Sequence, residues 1–463
     1  MSTRTLLRGG TVITSARPGE VLTETDILIG ADGLIEAIGR DLSVEDAVVV
    51  DVSGRIVHPG FVDTHRHTWQ SVVRHVASDW SLTEYLAGLH SGLSKYFRPE
   101  DTYTGNYLGA LEALDSGITT LVDWSHNLAT PAHADAAVQA LMDTGMRAVF
   151  AHGGGAKQWG APLPSPNDHP AADAGRVRDQ YFSSDDGLVT MALALRGPQF
   201  TTPEVNARDF RLAQDLDLRV TVHVGDGYWG KSGPIRKLQA DGLLSDRTTY
   251  VHCCTLGDDE LRMIADSGGT ASVAPDVEMQ MGHGFPATGR LLQAGIRPTF
   301  SIDVCSSNGG DMFGTMRTAI GMQRALDNAP GVETGEVVER IGLSVAEVIR
   351  FATIDGAHAA GLDDRTGSIE VGKAADIVVL DDRSLALTPL NNPIGAVVYS
   401  AHPGLVRDVF VHGVRVKEDG VLVGVDLDAL RASAAASRDY ITGQMPEAKL
   451  DGSWHPDLAA QLS

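Results

Sequence analysis

Between Ile56 and Asp303 the chain repeats one pattern eight times: a short apolar run, then a longer polar or amphipathic stretch. The runs are Ile56 to Asp63, Ile118 to Trp124, Arg147 to Gly153, Leu188 to Leu195, Arg219 to Val224, Thr248 to Cys253, Thr270 to Pro275 and Arg297 to Asp303. Amphipathic stretches such as Ala134 to Met142 and Leu256 to Ala265 lie between them. Short runs without apolar-polar alternation are what parallel strands look like when helices cover both faces of their sheet. Eight such units predict an α/β fold of the (β/α)₈ TIM-barrel type. An open doubly wound sheet would carry a Gly-rich phosphate loop after the first strand, and none is present. Gly153-Gly154-Gly155 follows the third run, but a lone glycine cluster reads as a flexible loop.

The flanks have a different rhythm. Thr11 to Thr14, Asp26 to Ile29, Leu34 to Ile38 and Ala47 to Val50 precede the barrel pattern as short alternating runs. Ile377 to Leu380, Ala396 to Val398, Asp408 to Val411 and Val414 to Val416 follow it. Neither set can bury a sheet face alone, so the two are expected to join in one small β-sandwich domain. The predicted division is residues 1–57 for its first part, 58–366 for the barrel, 367–426 for its second part, and 427–463 for a polar helical tail that forms a surface or interface element. Residues Gly154 to Gly187, rich in Gly, Pro and Asp, follow the third strand, where lids over barrel mouths are found.

Composition narrows the partners. A formal net charge of -23 repels phosphate backbones and anionic lipid, so neither nucleic acid nor a membrane surface is an expected partner. Cys253, Cys254 and Cys305 are the only cysteines, and the first two are neighbours in an apolar run, so no disulfide framework can be drawn. Met1 to Gly10 holds no signal-peptide-like apolar stretch, and no segment is long and apolar enough to span a bilayer. A reducing, cytoplasmic location is expected.

Polar residues stand where the pattern demands apolar ones. Asp63-Thr64-His65-Arg66-His67 ends the first run, and two histidines at spacing two on a strand share a face, so both can meet one ion. Taken alone, His-x-His is a weak signal. However, His223 ends the fifth run, His252 the sixth and Asp303 the eighth. The C-terminal ends of barrel strands converge on one cavity, so these distant residues become neighbours.

Val57-His58-Pro59-Gly60-Phe61-Val62-Asp63-Thr64-His65-Arg66-His67 resembles the opening signature of the amidohydrolase superfamily. Gly367-Ser368-Ile369-Glu370-Val371-Gly372-Lys373-Ala374-Ala375-Asp376-Ile377-Val378 resembles that family's return into the β-domain, and Asp408-Val409-Phe410-Val411-His412-Gly413 lies near its end. Within the superfamily the chain looks most like the deaminases of cytosine, guanine and adenosine derivatives and the s-triazine hydrolases. Binuclear members bridge two ions with a lysine near the fourth strand; no lysine lies between Lys157 and Lys231, so one divalent ion is expected. The ligands are His65, His67, His223 and Asp303, a set that suits zinc or iron(II) without choosing between them; zinc is the first expectation and iron the second.

The resemblance assigns further roles. The ion would acidify a water and so supply hydroxide; Asp303 would act as base; His252 would stabilise the charge that develops on the attacked group, its alternatives being a fourth imidazole ligand or a buried histidine. Where deaminases of this branch carry His-x-x-Glu, this chain reads His223-Val224-Gly225-Asp226, so Asp226 is either a proton donor on a shorter stem or a loop cap. After the seventh strand Glu278 replaces an amide and His283 a small residue, both expected to border the pocket unless that loop faces solvent. His126 and Asn127 are expected substrate contacts. Trp69, Gln70 and Trp80 either wall the pocket or pack a helix on the barrel; Cys305 reads as a small buried thiol.

The expected activity is attack of water on a ring carbon of an amino-substituted nitrogen heterocycle, with release of ammonia or an amine. Alternatives are expulsion of chloride or alkylamine from a triazine-like ring, or opening of a cyclic amide. A non-catalytic binding or assembly barrel would be expected to lack one of the ligands, and all are present. A small heterocyclic substrate and a homodimer or higher homo-oligomer complete the expectation.

Overall fold

The computed structural model describes residues 4–159, 163–381 and 383–458. Five strands precede the barrel: β1 (Arg4–Ile13), β2 (Val21–Ile29), β3 (Ile35–Gly39), β4 (Ala47–Asp51) and β5 (Ile56–Pro59). The barrel strands are β6 (Phe61–Arg66), β7 (Ile118–Ser125), β8 (Arg147–His152), β9 (Val189–Leu195), β10 (Arg219–Val224), β11 (Thr248–His252), β12 (Thr270–Val273) and β13 (Pro298–Phe300). Four more follow: β14 (Ile377–Leu380), β15 (Val406–Val411), β16 (Val414–Glu418) and β17 (Val421–Leu422). The chain divides into two compact units. One runs through Thr64, takes in Glu112–Thr120 and continues from Asp311 to Val425; the other comprises His65–Leu111, Leu121–Gly310 and the chain from Asp426 onward.

The eight barrel strands form one sheet in sequence order from β6 to β13. Every residue of β7, β8, β9 and β11 is buried, as parallel strands covered on both faces require. The ends of the sheet meet at the residues that matter chemically: Arg66 and Asp303 form a parallel bridge, Asp303 N donates to His65 O at 2.9 Å, and His67 N donates to Asp303 O at 2.8 Å. The barrel is thus nearly closed, and closure itself places Asp303 beside the His65–His67 pair.

The flanking strands make one nine-stranded mixed sheet in the order β17-β16-β15-β14-β5-β1-β2-β3, with β4 also paired to β1. Arg4–Arg8 of β1 pair in parallel with Ala47–Asp51, and Thr11 and Val12 pair with Ile56 and Val57. One long strand therefore serves two partners in succession on one side, so the sheet turns and encloses a core of Leu7, Ile27, Ile29, Val57, Ile377, Val379 and Phe410. Residues Ala396 to Val398, expected as a strand, lie in the helix Pro393–Tyr399. The Asn392 side chain accepts a hydrogen bond from Gly395 N at 3.0 Å and Pro393 fixes the first helical turn; this cap outweighs three apolar residues in a row.

The tail has a definite partner. Its helix, Leu427–Gly443, buries Ile441 in an apolar cluster with Trp69, Trp80, Leu82, Tyr85, Leu86, Val277 and Met281, and Ala448 joins them. Arg98 sits over the Tyr440 ring at 3.6 Å. Within the segment 154–187, short helices span Ala156–Trp159 and Ala171–Tyr181; residues 160–162 of this expected lid lie outside the described residues. Among the described residues no helix is long and apolar enough to cross a membrane.

Candidate active site

His65 and His67 leave β6 on the same face, as alternation on a strand requires, and His223 comes from β10. His65 Nε2 lies 3.3 Å and His67 Nε2 3.4 Å from the same oxygen, Asp303 Oδ1. The ring centroid of His223 is 4.8 Å from that of His65 and 5.5 Å from that of His67. Separations of about 3.3 to 3.6 Å are what neighbouring ligands show when each sits 2.0–2.2 Å from one tetrahedral ion. They are longer than a charged hydrogen bond between the same groups would be.

The protonation pattern suits a cation as well. His67 Nδ1 donates to the Trp124 carbonyl at 2.9 Å, which fixes the proton there and turns the Nε2 lone pair towards Asp303. Burial holds the imidazoles of His65, His67 and His223 below the usual histidine range, so they are neutral, as ligands must be. Burial would raise Asp303, but its bond to His65 and the surrounding imidazoles outweigh this and hold the carboxyl well below the usual range. The ring nitrogens of His65 and His67 and the Asp303 carboxylate therefore face one point, and His223 offers its own ring nitrogen beside His65 and His252. Backbone strain collects here too: Asp303 has φ of 62° and His252 of 76°, values costly for side chains with a Cβ.

His252 stands beside this set within a ring of carboxylates. Its Nδ1 is 3.1 Å from Glu278 Oε1, and its Nε2 is 3.4 Å from Asp226 Oδ1 and 3.6 Å from Asp303 Oδ2. Burial alone would lower its pKa, but Asp226, the bond to Glu278 and Asp303 win, and the imidazole is pushed up to about 9. The carboxylates around His252 thus favour its protonated form. Glu278 does not line the cavity: it accepts from His252 and from Ala274 N at 2.8 Å, so it orients the imidazole from behind.

A small cavity of about 30 Å³ opens onto these groups. His67, His223, His252, Asp303, Asp226, His283 and His126 line it, together with Leu82, Tyr85, Leu86, His90, Trp159, Phe200, Val277, Met281 and Val304. His126 stacks on His67 at 4.0 Å. The Trp69 indole, which can only donate, gives its proton to His126 Nδ1 at 2.9 Å; His126 Nε2 then carries its proton towards His90 Nε2 at 3.2 Å.

Four expected wall residues brace the lining from outside it. Gln70 donates to the Tyr85 hydroxyl at 2.5 Å and accepts from Ser306 at 2.9 Å. Asn127 donates to Thr102 Oγ1 at 3.0 Å. Trp69 holds His126. Trp80 is turned away, its indole N–H donating to Trp454 O at 3.0 Å, because the tail supplies the acceptor that a buried indole needs. Tyr85, His90, Trp159 and Phe200 line the cavity without having stood out in the sequence. His90 had a signal, a lone imidazole in the apolar stretch Leu86 to Leu93; Trp159 had none, because nothing in a loop's sequence says that its tip turns inward. Cys305 is buried against Ser71 at 3.4 Å, outside the lining.

The chain is similar to known proteins over nearly its whole length. The profile of the amidohydrolase family matches residues 56–416. The 5-methylthioadenosine/S-adenosylhomocysteine deaminase of Symbiobacterium thermophilum is 29% identical over 430 residues, which cover 90% of this chain and 94% of that protein. A zinc-bound adenosine deaminase from Xanthomonas campestris superimposes with a TM-score of 0.84 at 27% identity, over 95% of this chain and 98% of that one. A triazine hydrolase from Arthrobacter aurescens gives 0.83 at 26% identity, over 94% and 99%.

Proposed function

The chain belongs to the amidohydrolase family, and on that premise we propose that it is a metal-dependent aminohydrolase that replaces the exocyclic amino group of a neutral nitrogen heterocycle by oxygen and releases ammonia. The observation that carries this reading is the set of His65, His67 and Asp303 at the separations of ligands sharing one ion, with His223 offering a ring nitrogen beside His65, next to a small cavity. That set would hold the ion; its donors suit zinc or iron(II), and the zinc-bound Xanthomonas relative favours zinc. When bound, such an ion supplies the Lewis acidity that brings a water within reach of ionisation at neutral pH.

The protein's own groups do the rest. Asp303 Oδ2, turned towards His252 rather than towards the His65–His67 pair, takes a proton from the attacking water. The His252 cation, held by Glu278, faces the oxygen that gains charge as the ring carbon becomes tetrahedral. Leu82, Leu86, Val277 and Met281 exclude bulk water and strengthen every charge interaction inside.

The named activity of the Symbiobacterium relative directs the substrate towards 6-aminopurine nucleosides. Among the described residues no arginine or lysine lines the cavity, which favours a neutral substituent over a carboxylate-bearing tail. The likeness to a triazine hydrolase supports a second arm, hydrolysis of a triazine-like ring with a different leaving group such as chloride. The test is metal analysis of the purified protein, followed by ammonia release from aminopurines, aminopyrimidines and amino-s-triazines, with 6-chloro analogues alongside. About one ion per chain and turnover of a neutral aminopurine are expected; a metal-loaded protein that releases neither ammonia nor chloride from the panel rejects the reading.

A further inference from the structure

We infer that His283, backed by Asp226, is the acid that protonates the substrate's ring nitrogen, a role that rests on the aminohydrolase reading above. Asp226 by itself is badly placed for that work. Its Oδ2 accepts from the Gln199 amide, whose oxygen in turn accepts from Gly225 N at 2.9 Å, so the carboxylate is clamped against its own strand end. The remaining oxygen, Oδ1, completes no hydrogen bond and lies between two imidazoles, 3.2 Å from His283 Nδ1 and 3.4 Å from His252 Nε2. The stem is one methylene shorter than a glutamate's, about 1.5 Å of lost reach.

His283 makes up that reach. Its side chain is 4% exposed, it lines the cavity, and neither ring nitrogen completes a hydrogen bond. An imidazole buried with both nitrogens open is an unmet demand for partners; Asp226 answers one, and a ligand in the cavity answers the other. The backbone holds the pair together, since Gly227 N donates to His283 O at 2.9 Å, and His283 N donates to Glu278 O at 3.1 Å. Gly282 and Gly284 flank the histidine at φ of 83° and 133°, conformations a side chain at either position would resist, and this tight turn sets the imidazole against Asp226.

The proton inventory closes. As the water oxygen bonds to the ring carbon, Asp303 takes one water proton, and the ring nitrogen takes the Nε2 proton of a His283 imidazolium whose Nδ1–H faces Asp226. As the carbon–nitrogen bond breaks, Asp303 returns its proton to the departing amino group. The hydroxyl proton passes back to His283 as the carbonyl forms. Aminated ring plus water becomes oxo ring plus ammonia, and both protein groups are restored. Asp226 acts through the imidazole and is a positioning residue.

The test uses the metal-loaded enzyme with adenosine as probe, or whichever amino-heterocycle of the panel is turned over fastest. His283→Ala is expected to lower kcat by about 100-fold or more, the range of a lost general acid, with KM within about threefold. Free imidazole should restore at least about tenfold of that loss, which a merely structural role would not allow. Asp226→Asn combined with His283→Ala should be no more than about threefold slower than the worse single variant, because paired groups fail together. Metal content and thermal midpoint equal to wild type separate loss of the acid from damage to the fold. His283→Gln keeps the bulk, must show the same loss, and replaces the alanine variant if that one unfolds. A His283 variant within about fivefold of wild type, or a loss that imidazole does not relieve and that adds to the Asp226→Asn loss, overturns the assignment. A wild type inactive on the whole panel removes the reading of the site and this pair with it, whereas an active wild type with an unaffected variant removes the pair alone.

Discussion

On the proposed reading, the carboxylate at residue 303 has two tasks, because the same side chain that faces His65 and His67 through Oδ1 turns Oδ2 towards His252. Asp303→Asn keeps the volume and most of the hydrogen bonding, so the fold should persist. The charge that draws the cation and the lone pair that takes the proton both go, and kcat should fall by about 10³-fold or more. Near-normal turnover in that variant, with circular dichroism unchanged, would remove Asp303 from the mechanism. Glu278 gives a milder case. Gln can still accept from Ala274 N and His252, but the charge that holds the His252 cation is gone, so Glu278→Gln should lower kcat by about 10- to 100-fold with little change in KM. A change in KM alone would return Glu278 to the role of a substrate contact. These positions show what the sequence could and could not tell. His65, His223, His252 and Asp303 were visible because each is polar at the end of an apolar run. Glu278 was visible as an oddity, but its direction was not: only the fold shows that it points at His252 rather than at the substrate.

At the scale of elements, the segment from Thr68 to Phe97 bears Tyr85 and His90 on the cavity wall and rests on the C-terminal tail. Trp80 is its anchor, 2% exposed, with its indole N–H on Trp454 O and the two rings edge to face at 5.0 Å. Trp80→Phe keeps the packing and loses the hydrogen bond, which should cost about 1 kcal/mol. Trp80→Ala opens a cavity and should cost about 3 to 5 kcal/mol. Because the same segment carries cavity residues, KM should rise with that loss; a denaturation midpoint unmoved by Trp80→Ala would show that the tail does not brace the wall. Nothing local in the sequence could reveal this contact. A tryptophan near a strand end fits a substrate wall as well as a packing site, and its partner lies in a tail whose polarity suggested only a surface. The eight barrel runs were legible for the opposite reason, since each run's burial is written into its own residues. Ala396 to Val398 shows the limit of that rule: the apolar triplet said strand, and the cap at Asn392 decided for helix.

For the molecule as a whole, the ion is predicted to be part of the fold's stability. Its four proposed ligands come from β6 and the residue after it, from β10 and from the stretch just after β13, and the barrel closes through the backbone of three of them, His65, His67 and Asp303. An ion that binds the folded chain and not the unfolded one stabilises it by about 1.4 kcal/mol for each tenfold rise of free ion above its dissociation constant. Chelator-treated protein should therefore melt several degrees below the loaded form, and the midpoint should climb steadily as zinc is titrated back. Asp303→Asn and His223→Ala should flatten that climb, because each removes one donor from the shared centre. Substitutions in the nine-stranded flanking sheet, such as Ile27→Val, should lower the midpoint without changing its dependence on zinc. If apo and loaded protein melted together, or if the flanking variant changed the zinc dependence while Asp303→Asn did not, the ion would not be held where these side chains converge.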